Sequence, residues 1–179
     1  MCNIKSGIIL KDRIYLSKTD SHSDLLEELK IEDIEKNAKT LFVRAELKPL
    51  NFDIFSGVDS WQFVVDQDIL PDWFVKGHEE IRFRKAVKEW VNDHILIGKE
   101  NFELCNGYFY IKDCKNVIMK NDAFVDLCLN STVSEMYGKS TVSEMYDNSV
   151  RKIYENYKWI IYISEETKSN KHNNSKGGK

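Results

Sequence analysis

The residues best suited to chemistry sit together in Val65–Phe74, which reads Val-Asp-Gln-Asp-Ile-Leu-Pro-Asp-Trp-Phe. Hard divalent cations take carboxylate oxygens, so Asp66, Asp68 and Asp72 open the reading of a metal-dependent hydrolase. The stretch lacks the Gly and the closing Glu of a calcium loop. No Lys or Arg lies between Lys48 and Lys76, whereas five Asp do: Asp53, Asp59, Asp66, Asp68 and Asp72. A solvated acidic loop capping the helix after Pro71 has the same composition, as does a surface that attracts a basic partner. Trp73 and Phe74 divide the same way, because aromatics at an element junction either join the core or anchor an interface.

Other chemistries find little support. His22, His78, His94 and His172 have no ligand spacing to one another or to a Cys. Cys2, Cys105, Cys114 and Cys128 form no C-x-x-C pair, so reduced, mostly buried thiols are expected. Cys2 as an N-terminal nucleophile has nothing around it to activate it. The eight Gly are dispersed and build no phosphate loop. No nucleophile, base and orienting group can be assembled, so a non-enzymatic protein without a cofactor is expected.

These residues must be held by the elements around them. Gly7–Leu10 and Arg13–Leu16 read as a β-hairpin. Ser21 with Asp24 resembles a capping box and starts a helix through Leu25, Leu26 and Leu29. A second short helix is expected over Ile31–Ala38. Thr40–Leu47 alternates as a half-buried strand, with Leu41, Val43, Ala45 and Leu47 on one face. Residues 51–60 read as a loop and Trp61–Val65 as a strand. The longest helix is expected over His78–His94, with an apolar stripe of Ile81, Val87, Trp90 and Val91 and a basic side of Arg82, Arg84, Lys85 and Lys88. Ile95–Gly98 reads as a return strand.

The back of the chain is organised by a repeat. Ser-Thr-Val-Ser-Glu-Met-Tyr occurs at Ser131–Tyr137 and again at Ser140–Tyr146, a period of nine. Nine residues are two and a half helical turns, so successive copies would face opposite ways on a helix. Nine is also odd, so they would swap faces on a single strand. A chain that bends once per repeat escapes both problems. Val133 and Met136, and likewise Val142 and Met145, stand three apart and require a corner between them if both point inward. A β-solenoid meets that requirement, with two nine-residue units forming one coil. It is expected to start near Tyr108, with Trp159 covering its last coil.

Residues 1–163 resemble an uncharacterised family from gut bacteria and their phages and mobile elements. The resemblance rests on Ile4–Arg13, Asp20–Ser23, Leu26–Leu29, Val65–Phe74, Ala86–Trp90 and Tyr110–Asn116. Many members end in nonapeptide arrays like Asn-Ala-Thr-Val-x-x-Val-x-Gly. Here Ser-Thr-Val-Ser-Glu-Met-Tyr stands in their place, in few copies and without Ala-Thr. The resemblance brings no activity. It implies a mobile-element setting, where small proteins often inhibit host defence, anti-CRISPR proteins among them.

The charge of −3 is split, since residues 1–110 hold twenty acids and fifteen bases and the remainder is mildly basic. The expected fold class is α+β: an α+β domain over residues 1–104, a short parallel β-solenoid with a capping strand over 108–163, and a disordered basic tail over 164–179. The expected function is a protein-binding inhibitor that docks on a host protein or nucleoprotein complex, such as a Cas effector, through Asp66, Asp68, Asp72, Trp73 and Phe74. The alternatives are a self-associating solenoid, including a homodimer through its edge, and the Asp-cluster hydrolase. A cytoplasmic protein without a membrane span or direct nucleic-acid binding is expected.

Overall fold

A computed structural model describes residues 5–147, 149–155 and 158–163; for Leu127, Val150, residues 152–155 and residues 158–163 it describes the backbone alone. The expectations for Cys2, for the Trp159 side chain and for the tail from Ser164 lie outside the described residues. The chain divides into two compact units, Met1–Asp93 and His94–Lys179.

The first unit is built on a four-stranded antiparallel sheet. Strands β1 (Lys5–Leu10) and β2 (Ile14–Leu16) form the expected hairpin. Strand β3 (Phe42–Lys48) pairs with β1, and β4 (Gln62–Val65) pairs with β3, giving the order β2-β1-β3-β4. On one face, Ile8 and Phe42 pack against Leu25 and Leu26 of helix α1 (His22–Glu28). The Ser21 side chain accepts the Asp24 N–H there, as the capping pattern predicts. The second helix shrinks to a single turn, α2 (Glu35–Ala38).

The other sheet face carries α3 (Lys76–His94). Phe83 and Val87 are fully buried, and the Phe83 ring lies 5.8 Å from that of Phe63. Gly7 permits this approach: a Cβ there would stand 2.4 Å from the Tyr15 carbonyl oxygen and 2.9 Å from the Phe83 ring. Two expectations are corrected. Ile81 is exposed and Phe83 takes its place in the stripe, because Glu79, Phe83 and Val87 are the residues spaced four apart that meet the sheet. Strand β3 is buried on both faces, not half-buried, because helices cover the sheet on both sides.

The second unit is a parallel β-solenoid of about three turns. Stacking begins upstream of Tyr108, where β5 (Ile95–Ile97) pairs in parallel with β6 (Glu100–Lys112). Ile95–Gly98 therefore opens the stack and does not return to the first sheet. Strand β7 (Lys115–Leu129) lies on β6 in parallel. The two heptapeptides become β8 (Thr132–Met136) and β9 (Thr141–Tyr146). β8 pairs with the first part of β7 and β9 with its second part, so identical sequences build two walls of one coil. Strand β10 (Val150–Glu155) pairs in parallel with β8, and β11 (Lys158–Ile163) then runs antiparallel to β10.

Left-handed backbone at Gly98, Asp113, Asn130 and Asp147 turns the chain once per coil. Gly138 makes another such turn, where a Cβ would meet Asn121 backbone atoms at 3.0–3.2 Å. Val133 and Met136 do both point inward, onto Val117 and Met119. The corner expected between them is instead a β-bulge, since Val117 and Ile118 pair with Val133 and Glu135, leaving Ser134 as the extra residue. A bulge shifts the alternation by one, so residues three apart share a face. The mixed α+β label fits only in part, as helices are few.

Candidate functional site

The segment after β4 is pinned along its length. Asp66 N–H donates to the Arg44 carbonyl at 2.9 Å. Gln67 then extends the sheet with its side chain: its Oε1 accepts the Arg44 N–H at 2.9 Å and its Nε2 donates to the Phe42 carbonyl at 3.2 Å. An amide thus occupies the β3 edge where β4 has ended, which satisfies backbone groups that would attract another strand. Trp73 Nε1 donates to the Thr40 carbonyl at 2.9 Å, and its ring meets Phe74 edge-on at 6.4 Å.

The predicted residues are on this tethered segment; among the described residues, Asp66, Asp68 and Asp72 do not converge as a group of metal-ligating atoms. Asp66, Asp68 and Asp72 are exposed, and Trp73 and Phe74 are half-buried. Asp72 lies in a turn closed by Phe74 N–H to the Pro71 carbonyl. Helix α3 starts only at Lys76, so Asp72 is not its cap. Ile69, Leu70 and Val75 add exposed apolar surface. An open groove of about 520 Å³ runs beside the segment, with Asp33, Glu35, Asp66 and Asp68 on its walls against one guanidinium, Arg44. Arg44 is itself paired with Asp33.

Asp66 joins a second constellation that sequence spacing does not reveal. Among the described residues, the sole group of three side chains with converging ligand atoms is His22, Glu46 and Asp66, all within 4.8 Å of one another. Their separations of 24 and 20 positions match no motif; the central strand β3 is what places Glu46 between α1 and β4. His22 Nε2 lies 3.2 Å from the Ala45 carbonyl oxygen, which can only accept, so Nε2 carries the proton. Nδ1 then faces Asp66 Oδ2 at 3.3 Å. His22 and Glu46 are nearly buried, whereas Asp66 is 60% exposed and leaves the group open on its side.

Charge around this group is dense. Lys48 Nζ reaches Glu46 Oε2 at 2.9 Å. Lys5, buried, donates to Asp20 Oδ1 at 3.0 Å and to the Ser17 carbonyl at 2.5 Å, and it lies over the Trp90 ring. Burial pushes the Asp20 carboxyl above the usual Asp range, against the pull of Lys5.

Elsewhere polar side chains serve the fold. Arg84 donates to the Val58 and Trp61 carbonyls, both at 2.8 Å, and pairs with Glu80; Arg82 pairs with Glu79 and Lys88 with Asp59. Most of the basic side of α3 is therefore engaged within its own unit. Cys114 and Cys128 are buried free thiols, and burial raises Cys128 to about 11. Cys105 is free and exposed. Among the described residues, no helix is long and apolar enough to cross a membrane. No protein-family model, no curated protein and no solved structure matches the chain.

Proposed function

We propose that this is a non-enzymatic binding protein that docks on a basic protein or nucleoprotein surface through the segment Asp66–Val75 and its groove. The observation that carries this reading is the groove's composition, four carboxylates against one guanidinium already paired with Asp33. Acidic walls steer and orient a Lys- or Arg-bearing partner. Trp73, Phe74 and the exposed Ile69, Leu70 and Val75 supply apolar area beside them. The tethers from Gln67 and Trp73 lower the ordering cost of docking, since the segment is held before a partner arrives. An inhibitor of a host nucleoprotein such as a Cas effector is one partner class of this charge. On one wall, antiparallel β11 follows β10 and weighs against open-ended stacking of solenoids there, whereas on the other wall the last described strand is the parallel β9.

The test is charge reversal. In chelator-treated protein, Asp66→Lys with Asp68→Lys should leave the melting temperature nearly unchanged, because both side chains are exposed. Capture of the partner from bacterial lysate should fall, and the difference should be larger at low salt. Unaltered capture by the folded double variant would move the docking surface elsewhere.

A further inference from the structure

We propose that His22, Glu46 and Asp66 form a site for one first-row divalent transition-metal ion of the Zn²⁺ class. The inference stands apart from the docking proposal, since a chain without a partner can still bind an ion. An imidazole nitrogen with two carboxylate oxygens is a borderline ligand set, suited to Zn²⁺ or Co²⁺ more than to Mg²⁺ or Ca²⁺.

Three observations support it. The first is the tautomer. With Nε2–H committed to the Ala45 carbonyl, Nδ1 is left to face a carboxylate oxygen 3.3 Å away. Either a proton, as in an ion pair, or a metal ion joins these two atoms. A ring N–H held by a backbone carbonyl is also how metal-bound histidines are oriented. The second is spacing: bonds of about 2.0–2.1 Å at a tetrahedral angle put neighbouring ligand atoms roughly 3.3 Å apart. The Nδ1–Oδ2 distance has that value.

The third observation is Ser6. It pairs with Glu46 across β1 and β3, so its side chain leaves the sheet on the same face as the Glu46 carboxylate. Its hydroxyl is fully buried and has no hydrogen-bond partner among the described residues. A buried hydroxyl without a partner is costly, and a water on the ion would supply one. Three protein ligands leave the fourth tetrahedral position for that water. The bound ion would clip Asp66, the first residue after β4, to the start of α1.

Chelator-stripped full-length protein titrated with Co²⁺ tests the site. One Co²⁺ per chain is expected, with visible d–d bands, no thiolate charge-transfer band, and displacement by Zn²⁺. His22→Gln, Glu46→Gln and Asp66→Asn should each weaken binding at least about tenfold, as even loss of an outer-shell partner costs ~10–100-fold. Melting without metal identifies the variants that fold. Asp66→Asn, on the surface, should melt like the unsubstituted apoprotein but lose the Zn²⁺-induced rise. Absence of Co²⁺ binding would overturn the proposal. So would a thiolate-type spectrum, or binding that survives all three substitutions, since each places the ion elsewhere.

Discussion

Polar side chains are arranged differently in the two units. In the first, Lys5, Asp20, His22, Glu46 and Asp66 come from separate elements and converge around one end of β3. In the solenoid, four polar pairs link groups one coil apart: Lys115 with Glu100, Lys120 with Glu103, Asn116 with Asn101, and Asn130 with Asp113. A ladder repeats one local contact and gathers no charge. Convergence concentrates charge at a point, and holding it there requires a folded sheet with helices on both faces. The first arrangement suits a site and the second suits a scaffold.

The sharpest way to break the scaffold is from inside. Met119 is fully buried, in register with Leu104 on one side and Met136 on the other. Met119→Ala should cost about 2–5 kcal/mol in chemical denaturation, through lost burial and the cavity left behind. Gly7→Ala should cost about 1–3 kcal/mol or more in the first unit, because the new Cβ meets backbone as well as the Phe83 ring. Hydrogen exchange on each variant should show the loss of protection beginning in the unit that carries the substitution.

The two heptapeptides sharpen the comparison further, because they hold chemistry constant and vary only position. Ser131 Oγ accepts the buried Cys114 N–H at 2.9 Å, and Ser131 N–H donates to Ser149 Oγ. Ser140, the same residue of the second copy, has a hydroxyl with no partner among the described residues. Ser131→Ala should cost about 1–3 kcal/mol by leaving an amide unsatisfied, whereas Ser140→Ala should be close to neutral. Equal costs would mean that the seam of serines contributes nothing specific.

Cys128 gives a pH signature of the solenoid interior. Its thiol is raised from 9.0 to about 11 by burial. Between these values the folded state keeps a proton that the unfolded state has lost. Stability should therefore fall as pH rises from 9 towards 11 and be insensitive to this group below 9. Cys128→Ala should flatten that slope in urea titrations. Smallest of all, Lys115→Met should leave the melting temperature unchanged within error, as its pairing with Glu100 is exposed.

Local patterns in the sequence were good guides where local forces decide. The hairpin and the Ser21 cap reflect contacts between near neighbours, and the nine-residue period reflects a local bend repeated along the chain; each is present. The bulge at Ser134 was not legible, because a bulge is defined by the register of two strands. Ile81 reads as part of the stripe because it is apolar, whereas the sheet below selects Phe83. The segment Asp66–Phe74 was legible as a cluster of residue types. His22 and Glu46 were not, since only the pairing of β1, β3 and β4 brings them to Asp66.

The central claim, that binding belongs to the first unit and scaffolding to the second, is tested most directly by hydrogen exchange of the chain alone and bound to its captured partner. Amides of Asp68–Val75 should gain protection on binding, with the solenoid strands unchanged. Protection confined to β6–β9, with Asp68–Val75 exchanging as in the free chain, would contradict it.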